Sequence, residues 1–214
     1  MKRWILVAAI ALVIGLGATV LTVKLSKPTV DLKDGAAIWI EGNSSLKRFY
    51  LNATRVSIEN EMDNSDSKLK TLTSLILNKK GRKLTVNIPV EGLKSGDPNM
   101  DQSAYEKLKF KNFPDIVFTM GDYVVKAYPG SHTTYALLVS GKLKIAGVER
   151  EVVLEPTMVI GLGGIKIYGS QDVYQKDYGI APYSVALVMT ADNKIVVHYM
   201  AELGAEVIKK FKRP

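Results

Sequence analysis

Apolar and polar residues alternate along most of the chain. Leu84, Val86, Ile88 and Val90 alternate with Thr85, Asn87 and Pro89, and Ile116, Phe118 and Met120 follow Pro114 in the same rhythm. Tyr135, Leu137, Val139, Leu143 and Ile145 share one parity, with Ser140, Lys142 and Lys144 on the other. The pattern returns at Val152, Leu154, Met158 and Ile160, at Tyr183, Val185, Leu187 and Met189, and at Ile195, Val197, Tyr199, Ala201 and Leu203. A period of two marks strands with one dry and one wet face, as in antiparallel sheets. Weaker strands are expected near 36–41, 49–59 and 69–78. Turn residues separate the runs at Lys80-Gly81, Ala146-Gly147, Gly161 to Gly164 and Asp192-Asn193. Residues 98–111 depart from this rhythm. There Met100, Ala104, Leu108 and Lys111 recur at helical spacing behind Pro98, which predicts a single amphipathic helix. About eight strands and one helix predict an all-β fold, a closed or nearly closed antiparallel barrel with room for one slender ligand. A two-sheet sandwich shares the periodicity.

The N-terminus has a different pattern. Lys2 and Arg3 precede an uncharged apolar run from Trp4 to Val23. As a helix, that run is long enough to cross a hydrocarbon core of about 30 Å. Cations ahead of it favour a cytoplasmic N-terminus and export of the domain behind it. Two readings stay open: a cleaved signal peptide, with Gly15-Leu16-Gly17 as a small-x-small site, or an uncleaved transmembrane anchor. Either puts residue 30 onward in the periplasm or outside the cell. The chain thus divides into a leader and short linker (1–29), a β domain (30–208) and a basic tail (209–214).

Charge sharpens this picture. The chain has 214 residues with 29 Lys+Arg, 21 Asp+Glu and a net charge of +8. Lys2, Arg3, Lys24 and Lys27 lie in the leader, and Lys209, Lys210, Lys212 and Arg213 in the tail, with no acid in either. The domain between them is neutral, so it carries no basic footprint for nucleic acid. The basic ends suit an anionic membrane surface, and a solvated tail is the plainer reading of the C-terminus. The absence of cysteine removes thiolate chemistry and disulfides.

Little catalytic chemistry remains. His132 sits in a loop and His198 on a polar parity, with no acid placed in sequence to form a triad or metal pair with either. Gly161 to Gly164 lacks the context of a phosphate-binding loop and reads as a hairpin turn. Asp172, Asp177 and Asp192 do not form a calcium loop. Asn43-Ser44-Ser45 and Asn52-Ala53-Thr54 match the glycosylation acceptor, a pattern common by chance. What is left is the interior. The candidate lining is Val86, Ile88, Phe118, Met120, Tyr135, Leu137, Val139, Leu143, Leu187 and Val197, with Gly141 marking a bulge, a bend or the close approach of a ligand. Such a face either packs a dry core or lines an apolar pocket for a lipid.

Four segments, in order, carry a family resemblance. Gly42-Asn43-Ser44-Ser45-Leu46-Lys47-Arg48-Phe49 resembles the early "G-x-S-x-L-H-x-F" segment of the YceI-like family. Val90 to Gly96, Met100-Asp101 to Tyr105, Leu108-Lys109 and Phe113-Pro114-Asp115-Ile116-Val117-Phe118 resemble its strand, short helix and "P-x-I-x-F" block. Ser140 to Val148 resembles its "G-x-L-x-I-x-G" strand, and Asp177-Tyr178-Gly179-Ile180 its "D-[FY]-G-I" element. The resemblance covers about residues 36–204. It implies an extended lipocalin-like barrel, periplasmic or secreted, that binds polyisoprenoids or similar amphiphiles. It carries over no catalytic residue, and Lys47 stands where many members have histidine. The leading expectation is a non-enzymatic carrier or store of a polyisoprenoid, quinone-like, or other long-chain lipid. The domain would touch the membrane through its N-terminal segment, could pair as a homodimer, and would need no cofactor beyond bound lipid. The alternatives are an envelope stress or interaction module with a filled barrel, and a lipid hydrolase or isomerase.

Overall fold

The structure is a computed structural model that describes residues 29–31, 36–62, 82–185 and 189–204. The expected Trp4–Val23 helix, the strand near 69–78 and the basic tail lie outside these. In chain order the strands are β1 (Thr29–Asp31), β2 (Ala36–Ser44), β3 (Arg48–Ala53), β4 (Arg55–Met62), β5 (Arg82–Pro89) and β6 (Leu93–Lys94). After helix α1 (Pro98–Lys107) come β7 (Asp115–Ala127), β8 (Thr134–Ile145), β9 (Val148–Leu154), β10 (Thr157–Gly161), β11 (Gly164–Tyr174), β12 (Ser184–Val185) and β13 (Met189–Gly204). Short 3-10 turns come after β5 at Val90–Gly92 and after β11 at Gln175–Tyr178.

All the pairings are antiparallel, and the expected closed barrel of about eight strands needs correction. Eleven strands form one path, β1-β4-β5-β7-β8-β10-β11-β13-β2-β3-β6, with β9 paired to β8 and β12 to β13 off it. Among the described residues the ladder does not close into a barrel. Its two sides are instead joined by the chain itself: β3 runs into β4 through Thr54, and β5 runs through a 3-10 turn into β6, which pairs with β3. Thr54 holds that junction, since both its N–H and its hydroxyl donate to Gly92 O, at 2.9 Å each.

Other departures have local causes. The single strand read over 152–160 is two, because Glu155-Pro156 breaks the ladder, and Leu137 N–H donates instead to Pro156 O at 2.9 Å. Asp192-Asn193 is a bulge within β13, not a turn between strands. Of the strand read over 183–189, only Ser184–Val185 is a separate strand, and 186–188 lie outside the described residues.

Helix α1 covers one end of the curled sheet. Asp97 caps it, its carboxylate accepting from Asn99 N–H at 2.9 Å, and Pro98 occupies the first turn. The helix stops at Lys107, earlier than the spacing predicts, and Lys109 turns the chain at φ 55°. Met100, Ala104 and Leu108 pack against the buried Val90, Leu93, Ile116 and Ile145. Leu93 and Val90 are each only 1% exposed, so this end is tightly packed.

A buried carboxylate fixes the helix in place. Asp101 accepts from Ser95 N–H at 2.7 Å and Ser95 Oγ at 2.6 Å, and the Lys94 ammonium stands 3.7 Å away. Burial alone would raise its pKa, but the Ser95 hydrogen bonds and Lys94 outweigh it and hold the carboxyl below its ordinary value. A depressed carboxylate contributes stability that is present above its unfolded value, about 3.9, and lost as pH falls through the folded one. Acid titration below pH about 4 should therefore loosen α1 before the distant strands, read by amide exchange. In Asp101→Asn that acid step should disappear and α1 should exchange faster at neutral pH.

Candidate lipid-binding cavity

The sheet wraps around a cavity of about 440 Å³ that touches β2, β3, β4, β5, β7, β8, β10, β11, β13 and α1. Protein interiors seldom leave voids much larger than a water molecule. Ligand sites fall at about 300–1,000 Å³. The wall is almost wholly aliphatic and aromatic.

Of the ten residues expected to line the interior, Val86, Ile88, Phe118, Met120, Leu137, Val139, Leu143 and Val197 do so. Tyr135 shares their parity but is not part of the wall. It sits toward the far end of β8, with its hydroxyl 3.3 Å from His132 O. Leu187 lies outside the described residues. The expected lining left out Phe49, Met158, Gln171 and Tyr199, among others. Tyr199 was visible in the period of its strand. Gln171 was not, because a polar residue on the inner parity looks like a break.

Three aromatic rings lie flat on the wall because glycines leave them room. A Cβ on Gly42 would stand 2.2 Å from the ring of Phe49, its cross-strand partner. On Gly169 it would meet the Tyr199 hydroxyl at 2.5 Å, again directly across the ladder. On Gly141 it would meet the Phe118 ring at 2.6 Å and Thr119 O at 2.7 Å. Gly141 thus marks the close approach of a ring. Covering a strand glycine with a neighbouring aromatic is a known way to stabilise a curved sheet. Here it also keeps bulky rings from blocking the lumen.

The bulge lies opposite, on β7. Gly121 and Asp122 together face Ser140, whose hydroxyl accepts from Asp122 N–H at 3.2 Å and donates to Asp122 O at 2.9 Å. The extra residue reverses the parity, so that Met120 and then Tyr123 both reach the cavity.

The Tyr199 hydroxyl is buried and has no hydrogen-bond partner among the described residues. Burial, and then the nearby Glu155 carboxylate, push its pKa up to about 12. A tyrosine raised in this way favours the folded state below its unfolded value, about 10, and loses that contribution as pH rises through the folded one. Phenolate absorbance should show one tyrosine ionising near pH 12, and Tyr199→Phe should remove it. The same variant should cost no stability, since it deletes an unsatisfied buried hydroxyl.

On the outer face His198 has an acid beside it from another strand: its Nε2 lies 3.2 Å from Glu41 Oε2, and its ring stacks on Trp39 at 4.8 Å. Arg48 Nε binds the other oxygen of Glu41 at 3.2 Å, so the group is a cross-strand ion pair under an aromatic lid. Among the described residues no three His, Cys, Asp or Glu stand close enough to hold a metal ion. Nor is any helix among them long and apolar enough to cross a membrane.

An antiparallel sheet curled round an apolar cavity, with a helix over one end, defines a small-ligand binding fold. Residues 44–203 match the model of the YceI-like domain, and the chain belongs to the YceI-like family. Two solved structures share the fold. BcnA of Burkholderia cenocepacia is 14% identical, with a TM-score of 0.56 over 78% of this chain and 96% of that one. A polyisoprenoid-binding domain from Saccharophagus degradans, implicated in plant cell wall breakdown, is 9% identical, with a TM-score of 0.51 over 78% and 93%. No curated protein sequence matches the chain.

Proposed function

We propose that this protein is a non-enzymatic carrier of a long-chain lipid, a polyisoprenoid or similar amphiphile, held in the cavity of the curled sheet. The observation that carries the reading is the 440 Å³ cavity with its apolar wall. A filled interior, which an interaction module would require, does not match that space. Each methylene moved from water into such a wall contributes about 0.8 kcal/mol, so a linear hydrocarbon needs few polar contacts to bind. The polyisoprenoid-binding domain of similar fold supports the ligand class.

We place the domain outside the cytoplasm, with residues 1–29 as its export signal or membrane tether. The apolar run Trp4–Val23 behind Lys2 and Arg3 supports this. Titration of the purified full-length protein with a fluorescent prenyl probe tests the carrier reading. Saturable binding, competed by unlabelled polyprenol, is expected. No saturable binding in a folded protein would refute it.

A further inference from the structure

We propose that the lipid carries an anionic headgroup, a phosphate or a carboxylate, seated between Lys47 and Lys107 at the helix-covered end of the cavity. This rests on the carrier reading and adds an orientation and a headgroup class to it.

Among the described residues, Lys47 and Lys107 are the only charged groups lining the cavity wall, and both are cations. Neither forms an ion pair with a described carboxylate. Away from the cavity wall some cations are answered by acids, Lys142 by Glu149 at 3.1 Å, Lys166 by Glu202 at 2.9 Å and Lys194 by Asp172 at 3.1 Å, while others such as Lys144 stand in solvent rather than beside an apolar wall. The domain between leader and tail has as many acids as bases. Leaving two like charges unanswered beside an apolar cavity suits a ligand that brings its own negative charge.

Both lysines stand at the same end. Lys47 lies in the turn between β2 and β3, where Ser44 Oγ accepts its N–H at 3.1 Å and donates to its carbonyl at 2.8 Å. Ser45 ties that turn to β13, with its N–H donating to Thr190 O at 2.8 Å and its hydroxyl accepting from Thr190 N–H at 3.1 Å. Lys107 is on α1, one turn beyond Ser103, and the two share the cavity-facing side of the helix. Tyr105 anchors that helix by donating to Leu93 O at 2.9 Å. The cations are therefore borne on fixed backbone. The opposite end of the wall, at Ala36, Leu84, Leu137 and Met200, has no charged residue. A headgroup at the helix end and a tail running toward Ala36 match this gradient. Lys107 also stands in the last helical turn, where the helix dipole favours a cation without any ligand. The test therefore needs a readout that a merely structural lysine would not move.

The test compares three probes on the full-length protein in detergent: a prenyl phosphate, a long-chain fatty acid, and the neutral prenol of the same chain length. The unmodified protein should bind one or both anions about tenfold more tightly than the prenol. That preference should shrink with added salt. In Lys47→Ala/Lys107→Ala it should vanish while prenol affinity stays unchanged, which also shows that the variant folds. Preference for the phosphate alone assigns a phosphate seat; preference for both means that any single anionic head suffices. Lys144→Ala, on the outer face, should leave all three affinities unchanged. Equal binding of anions and prenol by the unmodified protein overturns the headgroup seat, as does a preference that survives the double substitution. In both cases the carrier reading still stands. If none of the probes binds, the carrier reading itself fails, and the headgroup seat with it.

Discussion

Val139→Trp is expected to empty the protein of lipid while leaving it folded. Val139 is 8% exposed, lines the cavity and pairs with Tyr123 on β7 and Leu154 on β9. An indole there would occupy space meant for the chain. Excluding about four methylenes removes about 3 kcal/mol of binding, roughly a hundredfold in affinity. The cost to the fold should not exceed the about 1–3 kcal/mol typical of overpacking, because the new ring enters a cavity rather than a filled core. Leu137→Asp should abolish retention too, but an unpaired buried carboxylate costs several kcal/mol of stability as well. Comparing the two separates loss of space from loss of fold. If a folded Val139→Trp protein retains as much lipid as the unmodified one, the chain does not lie in this cavity.

Gly42→Ala is expected to narrow the lumen from the wall inward. The new Cβ would stand 2.2 Å from Phe49, so the ring must swing away, and the cavity is the space open to it. Lipid affinity should fall about tenfold or more, and stability by about 1–3 kcal/mol. Phe49→Leu in the same chain should restore most of both, because the smaller side chain removes the clash. Binding and unfolding measured on the two single variants and the double variant give the coupling directly. Gly141→Ala should be harsher for stability, since its Cβ also meets the carbonyl of Thr119, a backbone atom that cannot rotate aside. Additive effects of Gly42→Ala and Phe49→Leu would mean that the ring is not held by the glycine.

Much of this fold could be read from the period of two. Leu137, Val139 and Leu143, with Val86, Ile88, Phe118, Met120 and Val197, fall on one parity of their strands, and the structure puts all eight on the cavity wall. The helix was legible from Pro98 at its start and the spacing behind it. Strand β11 was not. Its inner positions run Ile165, Ile167, Gly169, Gln171 and Val173, and the glycine and glutamine interrupt the apolar pattern. The interruption has a cause that only the partner strand reveals, since Gly169 makes room for Tyr199. That the ladder stays open was also beyond reach of the sequence, because Thr54 reads as one more alternating position but is where the strand leaves one neighbour for another. Whether an alternating face encloses a solid core or a cavity depends on curvature. The rings folded over Gly42, Gly141 and Gly169, and the bulge opposite Ser140, set that locally and lie far apart in sequence.

The most direct test is organic extraction of the protein, purified from its own cells in a mild detergent, with mass spectrometry of the extract. A prenyl or other long-chain lipid is expected in near-stoichiometric amount, absent from a parallel preparation of Val139→Trp. A folded, unmodified protein that yields no more lipid than that variant would contradict the carrier reading.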